Sequence, residues 1–525
     1  MITRLATGGG PAAPGRAALV ETHTATLIFL GDRVYKVKKP VDLGFLDFRT
    51  VEARRRACEA EVALNRRLAP DVYLGTAEVT GPDGRCCDHM VVMRRLPPER
   101  RLAALVTAGG EVAGPVRDTA RLLASFHSRC GTSAEITELG GVATQRRLWA
   151  DSLAAVTPYV GEVLPPTSVA EIEHLALRYL DGRDALLRER QRSGLVRDGH
   201  GDLLADDIFC LDDGPRVLDC LEFDPQLRAG DVLADAAFLA MDLQRLGRAD
   251  LAELFLSSYR EFSGEHHPRS LEDLYVSYRA FVRCKVACVR VGQGDAASAG
   301  EARALAALAL ARLRRGRVRL VLVGGLPASG KSTLAAGLAD AEGWTVLRSD
   351  VIRKELAGLA PRACAVAEPG RGLYRPEMTE AVYDEMIRRA GVALDRGESV
   401  IMDASWTRRA HRHRAARLAA AAAADLIELR CAVSADIARS RIIARRGPHP
   451  QAAGSGCTDG TGTSGTPAPA QGPVRTLGAD DGVSDATIDV LEDLTGRCDP
   501  WPEATTIFTT GPSAQTLHVA RRATS

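Results

Sequence analysis

The sequence predicts a chain of two unlike halves: an α+β part that opens on a β-hairpin, then an α/β part built on a parallel sheet. Three observations predict it. In the second half an apolar, β-branched run, VRLVLVG (Val318–Gly324), leads directly into a Gly-rich turn and then the helical stretch LAAGLAD. Near the start, ATLIFL and RVYKVKKP flank Gly31-Asp32, which reads as two strands and a tight turn. Between the halves, VGQGDAASAG (291–300) is a small-residue break, and EARALAALALARLRRG then reads as a helix with Gly316 just past its end.

At 525 residues the chain has room for two or three domains. Its 46% hydrophobic and 26% charged content is that of an ordinary globular protein. Lys+Arg 68 against Asp+Glu 67 leaves a formal charge of +1, which gives no support to a nucleic-acid-coating or membrane-surface protein. The 12 cysteines are scattered, and no C-x-x-C pair suggests zinc or redox chemistry. Reduced, buried thiols of a cytoplasmic protein are the expectation. The first twenty residues lack the continuous apolar core of a signal peptide. No stretch approaches the ~20 apolar residues of a membrane helix; the alanine run around Ala419 is closed by Arg417 and Asp425.

Residues 1–18 read as a loose Gly/Pro/Ala segment. After the hairpin, VEARRRACEAEVALNRRLAP is a charged amphipathic helix that stops before Pro70. MVVMRRLP (Met90–Pro97) reads as a buried strand, Val116–His127, much of 165–190 and 231–262 as helices, and Val217–Phe223 as a short apolar strand. His127 reads as a satisfied core residue. Arg279, Arg283 and Lys285 read as an exposed or salt-bridged helix face, with anionic-substrate binding as the alternative. His200-Gly201-Asp202 opens HGDLLADDIF, and VLDCLEF follows with Asp219. Phosphoryl transfer to a hydroxyl needs a carboxylate beside the acceptor and at least one on Mg²⁺, and Asp202 and Asp219 have the right chemistry.

With these residues the stretch from about Glu21 to Arg290 resembles the aminoglycoside phosphotransferase-like kinases, whose bilobal, protein-kinase-like fold carries H-G-D-x-x-x-x-N and then a strand with a metal-binding Asp. RAGDVLADAAFLAMDL, with Asp231 and Asp235, is similar to that family's follow-on segment. The resemblance implies Asp202 as catalytic base, Asp219 as Mg²⁺ ligand, and Glu61 paired with a lysine on the ATP phosphates. That lysine is Lys36 or Lys38, which share a strand face, so spacing leaves both open. The hinge at Met93–Leu96 would meet adenine. One departure stands out: the family's second metal ligand, usually Asn, is here Asp207, which can bind Mg²⁺ through oxygen but adds charge beside Asp219.

In the second half GLPASGKS fills G-x-x-x-x-G-K-[ST] from Gly325 to Ser332. Gly325 and Gly330 let the backbone wrap, so that N–H groups around Ser329 and Thr333 can face phosphate oxygens. Lys331 would reach the β- and γ-phosphates of ATP, and Ser332 would place its hydroxyl on Mg²⁺. TVLRSDVIRKEL then ends a strand at Ser349-Asp350, with Arg353 three residues on. In the small P-loop kinases that this stretch resembles, an Asp at this strand end can take the acceptor proton and an Arg one turn on holds the substrate, which implies those roles for Asp350 and Arg353; a helix N-cap fits Asp350 as well. GESVIMDASW ends an apolar strand at Asp403, suited to Mg²⁺ or its water shell. Arg408, Arg409 and Arg412 open a helix, LIELRCAV is another strand, and DIARSRIIARR puts Arg441 and Arg445 on one face of a candidate lid.

Together these motifs, over about Arg317–Arg446 and from Ser484 on, resemble the small P-loop kinases of the gluconate-kinase and polynucleotide-kinase type. The expected layout is a kinase-like domain over 19–295, a connector helix over 296–316 and a P-loop domain over 317–525. The low-complexity insert 447–480 is too poor in apolar residues to fold alone. SDATIDVLEDL reads as a helix capped at Ser484 or Asp485, TTIFTT as a last strand, and ARRATS as a fraying end. The pair of domains resembles bacterial two-domain aminoglycoside phosphotransferase-like, AAA-type ATP-binding proteins. The resemblance implies ATP- and Mg²⁺-dependent phosphoryl transfer to a small hydroxylated molecule, with a regulatory ATP-binding protein or a nucleic-acid 5′-hydroxyl kinase as alternatives.

Overall fold

Alternating side chains on Arg33–Lys38 put Val34, Lys36 and Lys38 on one face. The helix Val51–Asn65 covers that face and must therefore answer two lysines as well as a valine. In the computed structural model, which describes residues 17–22, 24–42, 46–360, 371–446 and 487–524, it does so with Glu61. Thr50 caps the helix, its Oγ1 accepting from Ala53 N at 3.1 Å. Val34, Cys58, Val62, Tyr73, Val91 and Met93 close the core between sheet and helix.

The chain forms two compact units, Met1–Leu180 with Asp184–Gly316, and Asp181–Arg183 with Arg317–Ser525. In the first, an antiparallel sheet runs in the order Ala18–Glu21, Ala25–Leu30, Arg33–Lys38, Cys86–Arg94, Tyr73–Thr80. Helices follow, among them Ala113–Arg129, Val232–Arg245, Ala249–Ser263 and Arg269–Gly292. Val232–Arg245 is buried over nearly its whole length, which explains its run of alanines. Ser298–Arg315, read from sequence as a connector, lies within this unit, where Arg312 and Arg315 both pair with Asp273 of Arg269–Gly292.

One expectation is corrected here. Val217–Phe223 is not a strand: the strand is Gly214–Val217, paired with Ile208–Leu211, and it ends before Asp219. Asp219 has φ +62°, a left-handed conformation that no strand accepts and that costs a non-glycine residue about 1–3 kcal/mol.

The second unit is a five-stranded parallel sheet in the order Thr345–Arg348, Val400–Asp403, Arg319–Gly324, Asp425–Ala432, Thr505–Phe508. The central strand, Arg319–Gly324, is buried at every position, as a strand covered on both faces must be. Val321, Val323, Leu334, Leu338, Ile401, Leu429 and Ile507 make the core on one side. Successive strands depart from the central one in both directions, so its C-terminal end is a switch point where a ligand crevice opens. The C-terminal stretch expected to fray is instead the helix Ser513–Thr524, which buries Ala520 and packs Leu517 against the core. The short helix Ile488–Gly496 is capped by Thr487; Ser484, Asp485 and the insert 447–480 lie outside the described residues.

Candidate active sites

In the first unit the loop at His200–Asp207 meets the segment around Asp219 and the lysine strand. Lys36 Nζ donates to Glu61 Oε1 at 2.7 Å and to Asp219 Oδ1 at 3.0 Å. Lys38 Nζ pairs with Glu61 Oε2 at 2.5 Å and donates to Glu222 Oε1 at 2.6 Å. Both lysines thus reach Glu61, and Lys36 is the one that also reaches Asp219. Lys36 holds Asp219 at about 2 against the opposing effect of burial. Burial pulls Lys36 down, yet Asp219 and Glu61 outweigh it and leave the ammonium well above its ordinary value. Asp219 N donates to Tyr73 OH at 3.3 Å, and Cys220 N donates to Asn65 Oδ1 at 2.9 Å, so sheet and helix both hold the segment.

Asp235, 4% exposed, fixes the loop from beneath. It accepts from His200 N at 2.7 Å, from Gly201 N at 2.8 Å, and from His127 Nε2 at 3.0 Å. Burial pushes its carboxyl up, but these partners prevail and hold it far below the usual range. His127 is buried, with Tyr259 OH 2.8 Å from its Nδ1, and so is the satisfied core residue the sequence suggested. His200 Nε2 donates to Leu218 O at 3.0 Å. Asp207 is pushed well above the carboxylate range by burial and by the charges of Asp219 and Asp202, with Arg101 opposing. Asp202 is 3.7 Å from Arg283 Nη1. Arg283 is 9% exposed and ion-paired with Asp202, and Arg279 donates to Ala234 O at 2.9 Å, so of the exposed or salt-bridged face expected of them the salt-bridged form holds for Arg283 and the exposed form for neither. Met93 of the expected hinge is buried between Val34 and Tyr73.

In the second unit Ala328, Gly330, Lys331, Ser332, Thr333, Ser349, Asp350 and Asp403 line one cleft at the end of the central strand. The loop needs its glycines. A Cβ on Gly325, at φ +139°, would lie 2.5 Å from Cys431 O and 2.6 Å from Ser329 Oγ. Gly330, at φ +86°, adopts the left-handed turn that starts the helix Lys331–Glu342. Ser329 Oγ is buried with no hydrogen-bond partner among the described residues. Lys331 Nζ rests on Leu326 O at 3.2 Å. Asp403 is raised by burial, while Lys331, Ser332 and Arg348 oppose the rise. A buried carboxylate, a serine hydroxyl, a lysine and a backbone-lined loop are the donor set that a nucleotide phosphate with Mg²⁺ fits.

Other expected residues find definite partners. Asp350 is not a helix N-cap: that position is Arg348, and Asp350 falls in the first turn of Ser349–Leu356, aimed into the cleft. Arg353 Nη1 donates to Leu373 O at 2.9 Å, and its guanidinium lies over the Tyr374 ring, so it secures the 371–376 segment. Arg441 donates to Ala328 O at 3.2 Å and Thr509 O at 2.8 Å, tying the helix Ala435–Arg446 to the phosphate loop. The Arg445 side chain lies outside the described residues. Arg408 precedes the helix Arg409–Ala421 and lies 3.8 Å from Glu380, Arg409 N donates to Asp499 Oδ2, and Arg412 donates to Trp406 O and Pro500 O.

Several contributors escaped the sequence reading. Arg348 is opposite Asp403 in the sheet register, its Nε 3.5 Å from Asp403 Oδ2. Thr509 Oγ1 donates to Ser329 O at 2.6 Å from the end of the last strand. Ser405 O accepts from Gly325 N at 3.2 Å, and the next residue, Trp406, holds φ +52° with its N–H on Tyr383 OH. A parallel register would have flagged Arg348; nothing local flags the others. Among the described residues no helix is long and apolar enough to cross a membrane.

The AAA domain family AAA_33 matches residues 320–455. The uncharacterized protein Rv2004c of Mycobacterium tuberculosis (strain ATCC 25618 / H37Rv) is 40% identical over 512 residues, which is 96% of this chain and 95% of the relative. Protein Mb2027c of Mycobacterium bovis matches to the same extent. Among solved structures, a choline/ethanolamine kinase family protein from Mesorhizobium loti aligns at 14% identity and TM-score 0.36, over 57% of this chain and 92% of that one. A gluconokinase from Sinorhizobium meliloti 1021 aligns at 16% identity and TM-score 0.25, over 40% and 96%. With two compact units and the AAA_33 match lying in the second, the chain belongs to the family of the mycobacterial protein Rv2004c.

Proposed function

We propose that the protein is an ATP-dependent phosphotransferase acting on a small hydroxylated molecule, with a nucleotide site in the second unit and a kinase-type site in the first. The observation that carries the reading is the cleft in which Lys331, Ser332, Asp350 and Asp403 converge on a phosphate loop. In this reading the loop amides and Lys331 bind the β- and γ-phosphates. Ser332 and Asp403 hold Mg²⁺ directly or through its water shell; the ion, when bound, neutralises phosphate charge and orients the terminal phosphoryl group. Asp350 receives the proton of the acceptor hydroxyl. Arg353 is a positioning residue for the 371–376 wall, and Arg441 one for the loop, with Arg445 alongside it on the lid.

In the first unit Asp202 is the base and Asp219 and Asp207 the metal-binding carboxylates. Glu61 orients Lys36 toward phosphate, and Lys38 keeps Glu61 charged and in place. The reading is supported by the Lys36–Glu61 and Lys36–Asp219 contacts in one network and by the backbone anchoring of the Asp202 loop. A binding-only first unit is the second reading. It is favoured by the crowding of Asp202, Asp207 and Asp219, three carboxylates where the resembling family has two and an amide.

The experiment is label transfer from γ-labelled ATP to a panel of sugars, aminoglycosides, nucleosides and 5′-hydroxyl oligonucleotides, in wild type, Lys331→Ala and Asp202→Ala. Loss in Lys331→Ala alone assigns the chemistry to the second unit and makes the first a binding module. Loss in Asp202→Ala alone assigns it to the first. ATP binding without transfer to any acceptor rejects the phosphotransferase reading in favour of a regulatory nucleotide-binding protein.

A further inference from the structure

A buried guanidinium carries five N–H donors and is satisfied in almost every folded protein. Arg54 and Arg190 of the first unit obey this rule, and Arg312 uses two of its three nitrogens, its Nη2 being buried without a partner among the described residues. Arg54 holds Asp88, Phe48 O and Arg49 O; Arg190 holds Asp231 and Glu265; Arg312 holds Asp273, Gln244 and Glu253. Arg283, on the helix Arg269–Gly292, breaks it. Its side chain is 10% exposed, and among the described residues it pairs with Asp202, whose Oδ1 is 3.7 Å from Nη1, longer than a hydrogen bond. None of its donors has a hydrogen-bond acceptor among the described residues.

Arg279, one helical turn earlier, shows what a structural arginine does on the same face. It donates to Ala234 O and lies 4.1 Å over the Phe238 ring. Arg283 makes no such hydrogen bond, and its side chain is held 10% exposed beside the carboxylate that would meet the acceptor hydroxyl. Lys36 and Lys38 serve the phosphate side of the site through Glu61. A fork of unused donors on the Asp202 side matches a planar or tetrahedral oxyanion.

We propose that Arg283 docks an anionic group, a phosphate or carboxylate, carried by the hydroxylated acceptor of the first unit's kinase-type site. This deepens the phosphotransferase reading and rests on it. With its hydroxyl on Asp202, such an acceptor puts its anion on Arg283, whereas an ammonium-bearing acceptor would face like-charge repulsion there.

The test uses the full-length chain carrying Lys331→Ala, so that transfer reports the first unit. Matched probes are glycerol, glycerol 3-phosphate and glycerate; glucose, glucose 6-phosphate and gluconate; and kanamycin as the cation. Binding is measured by calorimetry with a non-hydrolysable ATP analogue and Mg²⁺, and transfer with γ-labelled ATP. The expected result is preference for an anionic member of a set. Arg283→Gln then raises its dissociation constant and KM at least about tenfold, with kcat changed less, and Arg283→Lys restores part of the loss. The phosphate and carboxylate arms identify which anion is taken.

Equal use of neutral, cationic and anionic probes overturns the proposal. So does an Arg283→Gln effect that is the same for neutral and anionic probes, which would put Arg283 on the transferring phosphoryl group. Absence of binding by every anionic probe also overturns it. If anions bind through Arg283 and no probe is labelled, the anion site stands and the kinase reading of this unit falls.

Discussion

Asp235→Asn isolates what one buried carboxylate does for the Asp202 loop. The carboxylate accepts two backbone N–H groups, from His200 and Gly201, on its two oxygens, and a His127 N–H besides. An amide can serve one of those backbone donors and must turn an NH₂ toward the other. The change removes one charge-assisted bond, about 1.5–3 kcal/mol, and leaves a buried N–H without an acceptor, about 1–3 kcal/mol. Together that is about 2.5–6 kcal/mol, concentrated on two consecutive amides. At 1.36 kcal/mol per decade, their hydrogen-exchange protection should fall between about seventyfold and about 25,000-fold. Asp202 follows Gly201 directly, and displacing it by about 1 Å should slow transfer by the first unit about a hundredfold. Exchange by mass spectrometry on the 198–221 segment reads the first effect, and label transfer in the Lys331→Ala background reads the second. If amide protection and transfer both stay within about threefold of wild type, Asp235 does not hold the loop and this reasoning fails.

Other outcomes follow from the same geometry. Gly325→Ala places a methyl against Cys431 O and Ser329 Oγ at a left-handed φ; binding of an ATP analogue by the second unit should weaken at least tenfold, read by equilibrium dialysis. Asp403→Asn should raise the Mg²⁺ concentration for half-maximal nucleotide binding by about 10–100-fold, and an unchanged Mg²⁺ titration would remove Asp403 from the metal site. The first unit should lose stability at both ends of the pH scale. Lys36 depresses Asp219 to about 2, and Glu265, despite burial, is held at about 2 by His267 and Arg190. Both therefore contribute stability above about pH 4 that disappears as pH falls toward 2. His267 is raised, Glu265 and Glu272 flanking its two nitrogens at 3.1 and 2.8 Å and outweighing burial, so its contribution is complete below about pH 6.5 and is lost as pH rises through the higher folded value. Urea midpoints against pH should therefore show an alkaline decline that His267→Gln flattens.

The parallel sheet was legible because strand, Gly-rich loop and helix are adjacent in sequence and every position of the central strand is apolar or covered. The hairpin was legible for the same reason of proximity. What spacing could not decide was which of two residues on one face does the work. Lys36 and Lys38 differ by one pleat, and Arg279 and Arg283 by one turn, and only long-range neighbours tell the members of each pair apart. Asp235 was seen as part of a segment, but its hold on two amides more than thirty residues away depends on packing. The helix Ser513–Thr524 was missed because its apolar residues, such as Leu517 and Ala520, are few and are stabilised by the sheet they lie against.

The hydrogen bond from Thr509 Oγ1 to Ser329 O spans 180 residues of sequence, and Arg441 ties the same two places together across shorter separations. A growing chain emerging from a ribosome presents the Gly325–Ser332 loop long before residue 509 exists. The loop must therefore wait, half-built, while the sheet acquires its outermost strand. Nucleotide affinity should then be acquired late and abruptly during synthesis. Long-range closure of this kind is slow relative to local helix formation, so the interval is one in which the second unit is a client for chaperones.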